Sequence, residues 1–235
     1  MTRSTPRTLL LPVLGLLTLG SSGCGVLGAA DTSYRPEIDP ADFVDGVSNP
    51  YFPLVPGTTC RFAEGEGAEV VVTVTHETRT ILGIRCVVVH DVVLEDGQVV
   101  EDTFDWYAQD RTGNVWYMGE DTKEYHKNGR VSTAGSWEAG VGGAQPGIIM
   151  HAEPVPGGPY RQEYFLGEAE DMGQVVALGE TVEVPHGGYT GCVKTKEWSM
   201  LESGHEFKWY ARGVGFVRAE GTGGDLEVLV SVERE

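Results

Sequence analysis

The chain has 235 residues, and its 35 Asp and Glu against 17 Lys and Arg give a formal net charge of −18. So acidic a chain is repelled by nucleic-acid phosphates, and no basic stretch interrupts the acidity, which argues against nucleic-acid binding. Hydrophobic residues make up 40% of the chain, enough to bury a core and to argue against general disorder. The length suits one domain, or two small ones.

The first 23 residues have the anatomy of an export signal. Arg3 and Arg7 supply positive charge, and Leu9–Leu19 is an apolar run of eleven residues. That run is too short to span the roughly 30 Å hydrocarbon core of a membrane. Small residues then lead to Cys24, in an arrangement that resembles the lipobox of bacterial lipoprotein signals, although Ser21 stands where that pattern usually has Leu.

The lipobox resemblance implies diacylglyceryl transfer to the Cys24 thiol, cleavage after Gly23, and addition of palmitate or a similar acyl chain to the new N-terminus in many species. The alternative is an ordinary secretory signal cleaved near Ala29–Ala30, and both interpretations export the mature domain. Two or three acyl chains, at about 0.8 kcal/mol per buried methylene, predict a lasting anchor on the extracytoplasmic face of the cell membrane. Cleavage removes two Arg and no acid, so the mature net charge becomes −20.

Residues 24–48 follow the signal and are small, polar and proline-bearing, without sustained periodicity. We predict a flexible tether there, between the lipid and a single β domain that covers residues 49–235. The domain opens on Asn49–Gly57, whose three prolines and two aromatic residues predict an extended segment. Its aromatic residues are expected to plug the edge of the core.

Strand signals follow in close succession. The β-branched runs Ala68–Thr75 and Ile84–Leu94 predict two strands, and Glu95–Gly97 predicts the tight turn of a hairpin. Val99–Ala108 alternates with a period of two, which separates an apolar face from an acidic one. We predict that the apolar face points inward and the acidic face outward, with Phe104, Trp106 and Ala108 inside, and Glu101, Thr103, Asp105 and Tyr107 outside.

The remaining chain adds short strands separated by turns, and convincing helix is nearly absent. This pattern predicts an all-β domain, an antiparallel meander that forms a closed or half-closed barrel. Gly140–Pro159 is the main irregular stretch, and its apolar residues 148–150 predict a loop that folds back over a core or a cavity mouth. The further predicted strands are Val115–Met118, Arg161–Phe165, Gln174–Leu178, Thr181–Val184, Cys192–Met200, Glu206–Ala211, Gly215–Ala219 and Leu226–Val232.

The cysteines fit an oxidising compartment. If Cys24 carries lipid, three cysteines remain, and one disulfide leaves one thiol unpaired. Cys86 and Cys192 both open apolar, strand-like runs, so we predict a disulfide between them.

Aromatic residues cluster at the centres of the predicted strands. Core filling is one role for them. In a half-closed barrel, the inward ones line a concave apolar groove that holds a lipid or another hydrophobic ligand. The predicted groove residues are Phe104, Trp106, Trp116, Trp198, Phe207 and Trp209.

Motifs for catalysis and metal binding are few. The mature chain has no Gly-x-Ser-x-Gly elbow in a suitable context, no Ser-x-x-Lys pair and no phosphate-cradling glycine loop, so we predict no catalytic residue and no cofactor. His151, His186 and His205 lie in or beside predicted loops and are candidate metal ligands if they converge. Acidic turns such as Glu95–Asp96 lack the spacing of a calcium loop and predict weak surface binding at most.

Several stretches resemble an uncharacterised all-β family of exported bacterial proteins. The likeness lies in Asn49–Thr58 and Asp105–Thr122, and extends to Lys194–Trp198 and Tyr210–Gly215. That family has no assigned activity, so the resemblance implies no catalytic residue. More loosely, the Tyr-Ala-x-Gly-Val-Gly-x-Val return at Tyr210–Val217 is similar to half-barrel, LolA-like lipoprotein carriers, a likeness of fold alone.

The sequence therefore supports two functional hypotheses. The first is a monomeric, lipid-anchored, non-enzymatic binding or interaction domain outside the cell membrane, which holds a small hydrophobic ligand. The second is an envelope hydrolase or metal-dependent enzyme that uses carboxylates and loop histidines. Convergence of the histidines with the acidic turns in a pocket favours the second, and scattered polar residues around an apolar groove favour the first.

Overall fold

Antiparallel strands account for most of the computed structural model, which describes residues 34–65 and 67–235. The strands form a nearly closed barrel with one unsealed seam, and helix is almost absent. This confirms the predicted fold class. No helix in the described part of the chain has the length and apolar character needed to cross a membrane.

The strands range from two to fourteen residues, and a single 3-10 turn, Pro40–Asp42, precedes them. In chain order they are β1 Phe43–Val44, β2 Val47–Asn49, β3 Phe52–Leu54, β4 Thr58–Glu64, β5 Ala68–Ile81, β6 Ile84–Glu95, β7 Gln98–Asp110, β8 Val115–Tyr125, β9 Val131–Ser132, β10 Trp137–Glu138, β11 Gln145–Met150, β12 Tyr160–Arg161, β13 Glu163–Tyr164, β14 Asp171–Val184, β15 Gly187–Ser199, β16 Glu206–Ala211, β17 Gly215–Gly221 and β18 Leu226–Arg234.

Two meanders build the barrel wall. Strands β4 to β8 pair in chain order, strands β14 to β18 do the same, and β18 pairs with β4 to join the two halves. Long β-branched runs in β5 and β6 favour this extended pairing. Asp96 and Gly97 both have positive φ, 51° and 76°, which is the conformation that a two-residue hairpin loop requires. The predicted turn between β6 and β7 is therefore confirmed.

The seam lies between the outer edges of these two meanders. Strand β11 pairs with β8, and one short segment, Tyr160–Tyr164, pairs first with β14 through β12 and then with β11 through β13. The segment passes so close to β11 that a Cβ on Gly147 would lie 2.3 Å from the carbonyl carbon of Gln162. Glycine at this position therefore allows the crossing.

Two predicted boundaries differ from the structure. Asp171–Val184 is one strand with bulges, where the sequence pattern predicts two strands. The predicted loop Gly140–Pro159 contains the buried strand β11. Its apolar residues do pack on the core, since Met150 is fully buried.

The chain ahead of residue 49 contacts the barrel. Val47 is buried, β1 pairs with the end of β7, and the Tyr34 hydroxyl donates a hydrogen bond of 2.9 Å to the Pro146 carbonyl. These contacts place residues 34–48, which the sequence assigns to the tether, against the domain. Cys24 and the export signal lie outside the described residues, so lipidation and cleavage stay predictions.

The predicted disulfide between Cys86 and Cys192 does not form in this structure. Both thiols are free, as is that of Cys60. Cys86 belongs to a core cluster with Met118 and Met150, whereas Cys192 belongs to a separate cluster around Leu229. The apolar runs that these cysteines open therefore end up in different parts of the core.

Strand β7 is the clearest correction to the sequence pattern. Its two faces alternate as predicted, but the acidic face points into the barrel: Glu101 and Asp105 are 3% and 9% exposed. The apolar face, with Phe104 and Trp106, points the other way. A period of two identifies the two faces of a strand, and it does not say which one faces the interior when that interior is polar.

A candidate binding site inside the barrel

The barrel encloses a cavity of about 130 Å³ with an acidic wall. Four carboxyl groups line it, Asp91 from β6, Glu101 and Asp105 from β7, and Glu227 from β18. Lys208 of β16 is the only basic side chain among the lining residues that the structure describes. The cavity therefore carries an excess of acidic groups.

Two of these carboxyl groups have oxygen atoms without a hydrogen-bond partner. Oε1 of Glu101 lies 3.1 Å from the Thr103 hydroxyl, whereas its Oε2 is buried and unpartnered. Oδ1 of Asp91 is likewise buried without a partner. Buried polar atoms are nearly always paired, and leaving one unpaired costs about 1–3 kcal/mol. The cavity wall thus has unused capacity to accept hydrogen bonds.

Burial raises the pKa of several of these acids into the neutral range. It raises the pKa of Glu101 and of nearby Glu64 to about 7, and that of Glu227 to about 8. Neighbouring carboxylates add to the effect, Asp105 next to Glu101 and Glu64 next to Glu227. The pKa of Asp105 rises less, to about 6, because the Tyr117 hydroxyl donates a 2.6 Å hydrogen bond to it.

Lys208 neutralises two further acids that do not line the cavity. Its Nζ lies 3.0 Å from Oε2 of Glu197 and 2.9 Å from Oε1 of Glu206. Burial lowers the pKa of Lys208, but the two carboxylates outweigh burial and hold that pKa well above its usual value. Lys208 is therefore charged, and its charge is balanced by these two partners.

A second, apolar cavity of about 290 Å³ adjoins the acidic one. Phe52, Val72 and Phe216 line both cavities, so these three side chains stand at the boundary between them. The apolar cavity has mostly hydrophobic walls, to which Thr58, His186 and Arg234 add polar groups. Its hydrophobic lining residues, apart from the three shared ones, are Pro53, Leu54, Val55, Cys60, Phe62, Val74, Val214 and Val232.

The β2–β3 hairpin covers this end of the barrel. Asn49 Nδ2 donates to the Gly113 carbonyl at 2.9 Å, and the Gly213 amide donates to the Pro50 carbonyl at 2.7 Å. The hairpin is thus tied to two separate turns of the wall. The Phe52 ring packs 5.2 Å from that of Tyr107, which agrees with the expectation that this segment plugs the core edge.

The six predicted groove residues line neither cavity. Each alternates along its strand with residues that face the interior, so all six lie on the opposite face. Positive charges cover several of them: Arg79 lies 4.1 Å above Trp106, and Lys194 lies 4.3 Å from Phe207 and 4.4 Å from Trp209.

The other three predicted groove residues are also accounted for outside the cavities. Phe104 stacks on His90 at 4.3 Å, Trp116 donates to Asp110 at 2.9 Å, and Lys196 lies 5.5 Å from Trp198. None of the six residues lines either of these cavities, and their assignment to a ligand groove stays a prediction.

The three loop histidines do not converge. His186 precedes β15 and His205 follows it, so they flank opposite ends of a thirteen-residue strand. His151 packs against the Tyr160 ring at 4.4 Å. Across residues 34–65 and 67–235, no group of three or more His, Cys, Asp and Glu side chains is arranged to hold a metal ion.

Sequence reasoning missed Asp91, Lys208 and Glu227 as interior residues. A usable signal was present in Glu206–Ala211, where charged and aromatic residues alternate in the middle of a strand. A charged stripe beside an aromatic stripe predicts either a solvated outer face or a polar interior, and only the closed barrel decides between them.

The chain has a distant structural likeness among known proteins and no match to a known family. No protein-family model matches the chain, and no curated protein matches it. A solved structure from Parabacteroides distasonis ATCC 8503, named as a candidate lipoprotein, is similar with a TM-score of 0.42 and 13% sequence identity. The match covers 78% of this chain and 98% of that one. A likeness at this level carries no argument about the fold or the function of this chain.

Proposed function

We propose that the protein is a monomeric, lipid-anchored, extracytoplasmic binding protein that holds a small ligand inside its barrel without transforming it. The observation that carries the proposal is the pair of adjoining cavities, about 130 and 290 Å³, at the end covered by the β2–β3 hairpin. Ligand sites are concave and mostly apolar, with a few polar groups that fix orientation. The export signal and Cys24 support the anchored location.

The apolar cavity supplies the place for a hydrophobic part of the ligand. Leu54, Val74, Val214 and Val232 surround it with hydrocarbon. Removing a ligand's apolar surface from water there contributes about 25 cal/mol per Å². This keeps the expectation of a hydrophobic ligand and moves it from the predicted groove to the inside of the barrel.

Binding is tested on the full-length protein, purified from bacterial membranes in detergent and titrated with 2-naphthylmethanol, with empty micelles as the blank. Val232→Trp fills part of the apolar cavity and is expected to weaken binding roughly tenfold, because the indole occupies space that the hydrophobic part of the ligand needs. Val230→Trp is the matched control, since Val230 is on the same strand, is 43% exposed and does not line the cavity. The proposal fails if both variants weaken binding equally, or if no naphthalene probe, whatever its charge, saturates the protein.

Anchoring is tested by intact mass spectrometry and by labelling cells with palmitate. We expect the wild-type chain to incorporate the label and to begin at Cys24, and the Cys24→Ser variant to remain unlabelled. A mature chain that begins near Ala29–Ala30 contradicts the lipid anchor and supports the ordinary secretory signal instead.

A further inference from the structure

The acidic cavity has more carboxyl groups than its basic lining can pair. Among the described residues, Lys208 is the only basic one on its wall, and both of its ion pairs are made to Glu197 and Glu206, which lie outside the lining. Asp91, Glu101, Asp105 and Glu227 remain. Burial raises the pKa values of these acids, which keeps them partly protonated near neutral pH, and a positive group placed among them would favour their carboxylate forms.

Two unpartnered carboxyl oxygen atoms on the cavity-lining residues narrow the kind of ligand head group that fits. Glu101 is 97% buried, lines the cavity, and leaves Oε2 without a partner, and Oδ1 of Asp91 on the neighbouring strand is also unpartnered. An ammonium group brings three hydrogen-bond donors and a positive charge to such a wall. A bound cation favours the ionised form of these acids, whose pKa values burial raises, and that form repels an anionic head group.

A bare metal ion fits this cavity less well than an organic cation does. No group of three potential ligands is arranged around a common point within the described residues. Moreover, the acidic cavity adjoins the apolar one across Phe52, Val72 and Phe216. A ligand that occupies both cavities needs a charged end and a hydrocarbon body.

We infer that the barrel binds an organic ammonium ion, an amine carried on an apolar aromatic or aliphatic body. The amine lies among Asp91, Glu101 and Glu227, and the body lies in the apolar cavity behind Phe52. This inference rests on the proposed binding function and adds the chemical class of the ligand. Glu101 and Glu227 are buried and therefore do not contribute to the solubility of the surface, and the inference gives them a role in binding.

The test compares three naphthalene probes that differ only in charge: 2-naphthylmethylamine, 2-naphthylmethanol and 2-naphthoate. Each is titrated by calorimetry into the full-length protein, with empty micelles as the blank, at pH 8.5, which is above the pKa values of about 7 for Glu101 and about 8 for Glu227. We expect the amine to bind at least roughly tenfold more tightly than the alcohol, because hydrogen bonds between charged groups are stronger than those between neutral groups. The carboxylate is expected not to bind.

Two near-isosteric variants locate the amine. Glu101→Gln and Glu227→Gln each remove one carboxylate from the wall, and each is expected to lower amine affinity roughly tenfold while changing alcohol affinity less than about twofold. The matched control is Asp102→Asn, which removes the same charge from the next residue on the opposite face of β7, where Asp102 pairs with His90. It is expected to leave amine affinity unchanged.

The outcomes separate the two proposals. If the alcohol binds as tightly as the amine, or if amine affinity is the same in Glu101→Gln, Glu227→Gln and wild type, the amine inference is overturned and the binding function stands. If no probe binds, both are overturned. Circular dichroism of the two variants confirms that a lost affinity is not lost folding.

Discussion

The two faces of the barrel wall have opposite chemistry. On the inner face, Glu101 and Asp105 are buried carboxyls with raised pKa values. On the outer face, large rings such as Trp106 and Trp209 lie beneath the side chains of Arg79 and Lys194. Long cationic side chains cover aromatic surface with their stems and keep their charges in water. On the outer face, cationic side chains thus cover the aromatic rings, whereas the inner face has buried carboxyl oxygen atoms without a hydrogen-bond partner.

The largest expected effect comes from removing the interior cation. Lys208→Met leaves Glu197 and Glu206 buried without a positive partner, and breaking such a group costs about 3–5 kcal/mol in free energy of unfolding. Urea unfolding at pH 7.5 measures the loss. Lys194→Met is the outer-face control, with an expected loss below about 1 kcal/mol. Equal losses in the two variants show that the faces do not differ as described.

The pH dependence of stability is the next largest effect. The folded-state pKa values of Glu64 and Glu101, about 7, and of Glu227, about 8, exceed the ordinary value of 4.5. The folded protein therefore binds more protons than the unfolded chain between these values, and stability falls as pH rises. We expect the free energy of unfolding to fall from pH 5 to pH 8, with Glu101 alone contributing about 2–3 kcal/mol of the fall.

The variant Glu101→Gln tests whether the interior acids cause this fall in stability with pH. Glu101→Gln removes one of the titrating groups and is expected to give a shallower fall in stability between pH 5 and pH 8, whereas the outward Asp102→Asn keeps the wild-type slope. A wild-type stability that rises over this range contradicts the protonated interior.

A smaller loss of stability is expected at Gly119, where the backbone lies against the outer-face residue Trp106 and the Trp137 carbonyl. A Cβ on Gly119 would lie 2.3 Å from the Trp137 carbonyl oxygen and 3.1 Å from the Trp106 ring. Gly119→Ala is expected to cost about 1–3 kcal/mol through overpacking and its positive φ. Gly129→Ala is the control, because Gly129 also has positive φ but nothing within 4 Å of a Cβ. Thermal unfolding of both variants separates the clash from the backbone strain.

The smallest expected loss of stability comes from removing the Arg79 guanidinium that lies above the Trp106 ring. Arg79→Met removes the charge over Trp106 and the ion pair with Glu138, and is expected to cost about 0.5–1 kcal/mol. Arg61→Met is the comparison, since Arg61 forms an exposed ion pair with Glu69. Thermal unfolding with tryptophan fluorescence should show the larger loss for Arg79→Met. If Arg61→Met costs as much, the ring contributes nothing.

The fold was predictable from local signals, and the candidate site was not. The β-branched runs in β5 and β6 and the Asp96–Gly97 turn predict strands and hairpins directly. The inward direction of Glu101 is not a local property, because it depends on β4 and β18 closing the wall so that this face meets other carboxyls across a lumen. The apolar cavity depends equally on distant segments, since Phe52 and Phe216 meet there only after closure.

The pairing of β4 with β18 has a further consequence for how fast the protein folds. Nearly every other wall contact joins neighbours along the chain, whereas Thr58 pairs with Arg234 and Glu64 with Glu227. Contacts of high sequence separation require costly loop closure, and they slow folding. We therefore expect closure of the barrel to limit the folding rate, and we expect the interior carboxyls to stay hydrated and apart from one another until closure brings them together.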